Sequence, residues 1–167
     1  MSVSFDVVFD DLRWEKKNLT EIATKVGAAF SDFFELPKGA SAVVMGCNDD
    51  IISVLNKNFR GKPQATNVLS WPGSNLVAKG TGDLPLHVID PELGNIAISY
   101  DTCMREAASA EIDQTDHITH LLIHATLHLL GYNHIKNDDA NIMESIEIKI
   151  LAKLGISNPY YISDEIK

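Results

Sequence analysis

HLLIHATLHLLGYNH, residues 120–134, holds four of the chain's six histidines among residues that are otherwise nearly all apolar. Helical spacing makes sense of the stretch. Residues four apart share a face, so His120, His124 and His128 form a row, while Leu121, Leu122, Ile123, Leu127, Leu129 and Leu130 cover the other sides. A helix that is apolar nearly all round has to be buried. A buried imidazole then needs a hydrogen-bond partner, a charge partner or a metal. The spacing predicts a helix over 117–130, capped by Asp116 and ended by Gly131 in a left-handed conformation.

Within this stretch HATLHLLGYNH, residues 124–134, has histidines at its first, fifth and eleventh positions and glycine at its eighth. That is the spacing of the metzincin motif H-E-x-x-H-x-x-G-x-x-H. Zinc commonly takes two histidines at i and i+4, and a third ligand can follow once a glycine folds the chain back. The pattern therefore points to His124, His128 and His134 as metal ligands. Its second position departs from the peptidases, where a glutamate serves as general base. Here that residue is Ala125, which can accept no proton. His120 shares the row, and two readings stay open for it: support behind the site or contact with substrate, against a hydrogen-bonded core histidine.

The bulk properties suit a host for such a helix. At 167 residues, 45% hydrophobic and 22% charged, the chain fits one globular domain. Its start, MSVSFDVVFDDLRWEKK, lacks a basic segment followed by a long apolar one, and no apolar run is long enough to span a bilayer. A cytoplasmic protein without membrane contact is expected. Cys47 and Cys103 are too few and too isolated for a disulfide framework or a CxxC pair, and read as small core residues. A net charge of −9 repels polyanions at long range, so DNA is not an expected partner and RNA requires a local exception. LNKNFRGKPQAT, residues 55–66, offers one: Lys57, Arg60 and Lys62 surround Phe59 with no acidic residue. Taken alone it reads as a solvated helix end and a turn.

Elsewhere, apolar runs predict strands over 3–9, 41–47, 66–71 and 94–100. Helices are expected within 18–35, from an Asn48 cap to Phe59, over 101–110, and over 138–154 with Asn137 or Asp138 as cap and Gly155 as stop. The last helix carries Ile142, Met143, Ile146, Ile150 and Leu154 as a core stripe. Residues 72–93, rich in Gly and Pro and without a period, form the expected flexible loop.

With these segments in place the sequence resembles the YbeY family of bacterial endoribonucleases, or rRNA maturation factors, whose signature is similar to H-x-x-L-H-L-x-G-Y-x-H preceded by another histidine. LNKNFRGKPQATNVLSWP, LGNIAIS and the ending GISNPY are similar to further family segments in the same order. The resemblance implies an α+β fold of zincin-like build, a small mixed sheet packed with helices around a central histidine-bearing helix. It implies one zinc ion on His124, His128 and His134, and Arg60 as an arginine near the metal. The implied activity is metal-dependent cleavage of single-stranded RNA, in maturing the 3′ end of small-subunit ribosomal RNA and in ribosome quality control, with the small ribosomal subunit as partner. Where the family usually has aspartate this chain has Asn133 and Asn95, and Ala125 replaces a common glycine. Both asparagines remove a carboxylate that could stand behind the site.

Phosphodiester cleavage builds negative charge on non-bridging oxygens, which a guanidinium can clamp, so Arg60 is expected to be catalytic with the three histidines. Lys57 and Lys62 are expected to join it in holding RNA, whereas Thr66 and Ser70 read as structural. The attacking group is either water or the RNA's own 2′-hydroxyl. Two alternatives remain: a zinc peptidase, opposed by Ala125, and a ribosome-assembly factor whose metal is structural.

Overall fold

The computed structural model describes residues 2–160. Four strands, β1 (Ser4–Phe9), β2 (Ser41–Cys47), β3 (Val68–Pro72) and β4 (Glu92–Ser99), form one sheet in the order β1-β2-β4-β3. β2 runs parallel to both β1 and β4, and β3 is antiparallel to β4, so the sheet is mixed. The parallel pairs are joined by crossovers. Helix α1 (Leu19–Phe30) links β1 to β2, and α2 (Asp49–Arg60) follows β2. Three helices, α3 (Tyr100–Ala110), α4 (Gln114–Leu129) and α5 (Asn137–Lys153), complete the described chain. The strand and helix positions agree with those expected to within a few residues.

β4 explains how one sheet serves two layers. Ile96 and Ile98 face the main core with α1 and α4, and Ala97 between them faces Cys47, Ile52 and Leu69 under α2. The register Val68↔Ile98, Leu69↔Ala97 and Ser70↔Ile96 then puts Val68 and Ser70 on the α4 side. Helix α4 packs against β3, β4, α1, α3 and α5 and is the centre of the fold. Its Ile118, Leu122, Ile123 and Leu127 are fully buried. The core reading of the cysteines holds, since Cys47 and Cys103 are free thiols inside the protein. Burial, reinforced by Asp10, pushes the Cys47 thiol up to about 12.

Three local expectations need correction. Asp113, not Asp116, caps α4: its side chain accepts from the Asp116 N–H at 3.0 Å, so the helix starts one turn early. Both aspartates satisfy the capping rule, and their spacing alone does not choose between them. The N-cap of α5 is Lys136 with no side-chain cap bond, and Asn137 and Asp138 lie inside the first turn. Leu12–Lys17 forms a 3-10 helix in a segment with no expected element, because one buried residue, Trp14, anchors it: its indole N–H donates to the Cys47 carbonyl at 2.9 Å. Between Pro72 and Glu92 there is neither helix nor strand, yet Leu76 and Val88 are buried there and the Gly82 N–H donates to Asp139 at 2.9 Å.

Candidate metal centre

Helix α4 ends as its sequence demands. Leu130 is the C-cap and Gly131 follows at φ +100°, where a side chain would be strained and a Cβ would lie 2.5 Å from the Leu76 carbonyl oxygen. The turn brings His134 back over the last helical turn. Its ring centroid is 5.2 Å from that of His124 and 5.1 Å from that of His128. The expected triad is therefore assembled, each residue offering a nitrogen within 4.8 Å of the others.

The hydrogen bonds settle which nitrogens face inward. His128 Nδ1 meets the Tyr132 carbonyl at 2.9 Å, and His124 Nδ1 meets Glu147 Oε2 at 3.1 Å. A carbonyl and a carboxylate only accept, so both Nδ1 atoms carry the hydrogen. In neutral imidazoles both Nε2 atoms would then be bare lone pairs, and they lie 3.1 Å from each other. Two bare lone pairs repel at that distance unless a proton or a metal cation sits between them. Four-coordinate zinc with nitrogens at about 2.0–2.1 Å spaces its ligands by roughly 3.3 Å, so the donor set fits the ion. Burial, and then the neighbouring His124, pull His128 down to about 4, which keeps its imidazole neutral and able to ligate near pH 7.

The triad opens into a cavity of about 870 Å³, a size that suits a small ligand or one nucleotide. Arg60 stands on its wall, as do Thr66, Ser70, Phe59 and Asn133. Arg60 reaches it because α2 ends there, with Gly61 closing the helix at φ +72°. Lys57 and Lys62 are exposed and lie off the cavity wall, so the structure separates them from Arg60. Asn133 accepts from the Ile135 N–H at 3.3 Å, and Asn95 lines a different hollow with residues of β1 and β2. Ala125 is 1% exposed. Nothing at that position replaces the peptidase base.

Two groups escaped the sequence reading, Glu106 on this wall and Glu147 buried behind it. Glu106 receives His117 Nε2 at 2.9 Å and the Asn67 amide at 3.1 Å. Glu147 of α5 is 0% exposed and accepts from His120 Nε2 at 2.7 Å, from His124, and from the Tyr160 hydroxyl at 2.8 Å. Its burial raises the carboxyl, but the bonds from His120 and His124 outweigh that and hold it at about 2. A signal for Glu147 exists: Met143, Glu147, Ile150 and Leu151 are all buried at helical spacing, so the glutamate interrupts an apolar stripe. His120 is hydrogen-bonded and also lines the cavity, so both readings of it stay open.

Fold and site together define a class: an α+β protein of zincin-like build whose histidine cluster could hold a metal ion, without the glutamate of the peptidases. The fold matches the solution structure of a Thermotoga maritima protein with a TM-score of 0.51 at 19% identity, over 99% of each chain. The endoribonuclease YbeY family model matches residues 7–155, and the chain belongs to that family. It is 47% identical to the endoribonuclease YbeY of Ruegeria sp. (strain TM1040), over 95% of this chain and 97% of the relative. With that of Paracoccus denitrificans it shares 49% identity over 93% and 88%. Membership makes the chain a nuclease of the hydrolase class, acting on RNA. Among the described residues no helix is long and apolar enough to cross a membrane.

Proposed function

We propose that this chain is a single-domain, zinc-dependent endoribonuclease of the cytoplasm that cuts single-stranded RNA, matures the 3′ end of small-subunit ribosomal RNA and serves ribosome quality control. The observation that carries the reading is the pair of Nε2 atoms 3.1 Å apart, joined by His134 and facing a cavity with an arginine on its wall. His124, His128 and His134 hold the zinc. When bound, the ion supplies Lewis acidity toward a phosphoryl oxygen or a water molecule. Arg60 takes the non-bridging oxygens of the scissile phosphate and stabilises the charge that grows on them. Lys57 and Lys62, farther out, hold flanking phosphates as point charges.

A peptidase is opposed by more than the alanine. Glu147 is bonded to the Nδ1 edge of His124, whereas His128 meets its Nε2 edge. That carboxylate is turned away from the position where a peptidase base would act.

The test uses purified protein, metal-free and zinc-loaded, with a single-stranded RNA and its duplex. About one zinc per chain is expected, with cleavage of the single strand only when zinc is present. Alanine at His124, His128 or His134 should empty the site and abolish cleavage. Full zinc in all three variants overturns the ligand set. A parent that holds zinc and binds RNA but never cuts overturns the enzyme in favour of an assembly factor.

A further inference from the structure

The carboxylate behind the triad is out of place by ordinary packing rules. Glu147 lies in the apolar stripe of α5, between Met143 and Ile150, with none of its surface exposed. No lysine or arginine answers its charge among its described hydrogen-bond partners; two imidazoles and a phenol do. An apolar side chain would fill such a position without the desolvation cost of a buried charge. The glutamate has a use that only an acceptor can fill.

His120 and His124, one turn apart on α4, straddle this one side chain, each giving it a nitrogen. For His124 the consequence reaches the far edge of the ring. A neutral imidazole has one hydrogen, so a hydrogen held on Nδ1 leaves Nε2 bare. We propose that Glu147 is the positioning residue of the histidine centre, its carboxylate holding the His124 ring with Nδ1 protonated and Nε2 bare toward His128 and His134. The Tyr132 carbonyl does the same for His128 at 2.9 Å. The two inner ligands are therefore set by two different acceptors, one neutral and one charged. The charged acceptor also makes its imidazole the more basic donor to a cation. His120 and the Tyr160 hydroxyl share Oε1, which leaves Oε2 to His124.

The same three groups, His120, His124 and Glu147, lie close enough to hold an ion themselves. The hydrogen-bond reading is preferred because both contacts, 2.7 and 3.1 Å, are ordinary hydrogen-bond lengths with a donor and an acceptor at each.

This proposal rests on the triad being a metal site, and the experiment keeps the two apart. Zinc affinity is measured by competition with a chromophoric chelator, and nitrogen-resolved NMR of the metal-free protein reports the His124 tautomer. The parent should show His124 with its hydrogen on Nδ1. Glu147→Gln, able to accept from only some of the three donors, should bind one zinc ten- to a hundredfold more weakly and mix the two tautomers. Asp49→Asn, altering a carboxylate remote from the histidines, should leave both readouts at parent values. If His124→Ala retains full zinc, the metal reading falls and takes this one with it. If His124→Ala empties the site while Glu147→Gln binds as tightly as the parent with the same tautomer, Glu147 alone is overturned. Two zinc ions in the parent and one in Glu147→Gln would make it a ligand, which also overturns positioning. Should the glutamine variant not fold, a parent His124 with its hydrogen on Nε2 still refutes the proposal.

Discussion

Asp49 and Glu147 both draw in donors from other elements, and the donors differ in kind. Asp49, at the start of α2, accepts from the Ser99 hydroxyl at 2.7 Å, the Thr102 hydroxyl at 2.6 Å and the Arg105 guanidinium at 2.9 Å. Beside it Asp101 takes the Asp49 N–H at 3.1 Å and Arg13 at 2.9 Å. These bonds tie α2, α3, β4 and the 3-10 helix together, and they end where they are made. Glu147 binds imidazoles, and an imidazole has a second nitrogen. A bond on one edge of that ring dictates what the other edge can do, so the same chemistry that staples one corner of the fold prepares a site at another.

The arginines divide in the same way, which gives the largest expected effect. Arg13 and Arg105 are engaged by aspartates, while Arg60 stands on the cavity wall. Arg60→Glu should keep zinc and fold yet lower single-turnover cleavage of a single-stranded RNA about a hundredfold to a thousandfold, the usual cost of removing a stabiliser of developing charge. Lys57→Glu and Lys62→Glu should weaken binding and its salt dependence while the cleavage step persists. Parent-rate cleavage by Arg60→Glu would make it one more surface cation and erase the contrast.

On the stapling side, Asp49→Asn removes a charged acceptor of three donors at a site that is 23% exposed. A loss of roughly 1–2 kcal/mol is expected, lowering Tm by several degrees. Zinc affinity should not move. A shift in zinc affinity would show that the two networks are coupled through the core.

The acid limb of stability sharpens the same point. Burial raises Asp49, but the bonds from Thr102, Ser99 and Arg105 outweigh it and hold the carboxyl below its ordinary 3.8. Arg13, and then the Asp49 N–H, hold Asp101 down as well. A carboxyl depressed by folding takes up its proton later in the folded state than in the unfolded one. Its stabilisation is present above pH 3.8 and is lost as pH falls through the lower folded values. Denaturant titrations from pH 5 downward should show a shallower acid loss in Asp49→Asn than in the parent. Parallel limbs would mean that Asp49 is no better held in the folded chain than in the unfolded one.

How much of this was legible follows from what each feature depends on. The triad was legible because helix periodicity and one glycine determine it, and both are local. The strands were legible as apolar runs, while their order β1-β2-β4-β3 depends on long-range pairing and was not expected in advance. Asp113 and Asp116 compete for one cap, and only packing decides between them. Glu147 was passed over because a glutamate on a helix ordinarily faces water, and its donors come from α4 and from Tyr160 beyond the helix end. Glu106 was hidden likewise, its partners His117 and Asn67 lying on α4 and just before β3. Chemistry carried within one helix was readable, whereas chemistry shared between helices needed the fold.

The smallest expected effect tests the third ligand. His134 sits after the turn, and the structure gives it no counterpart of Glu147 or the Tyr132 carbonyl among the described side-chain bonds. Its neighbour Asn133 is on the cavity wall, with its amide oxygen accepting from the Ile135 N–H at 3.3 Å. Asn133→Asp keeps that acceptor, and so the turn, and adds a negative charge beside a site for a divalent cation. Zinc binding should tighten by a few-fold and at most about tenfold, because a half-exposed charge near a surface cavity is well screened. The gain should shrink as salt is raised. A gain insensitive to salt would instead mean that the new carboxylate bonds the His134 ring directly, giving the third ligand the kind of support Glu147 provides for the first. No gain at any salt would mean that residue 133 acts on the turn alone.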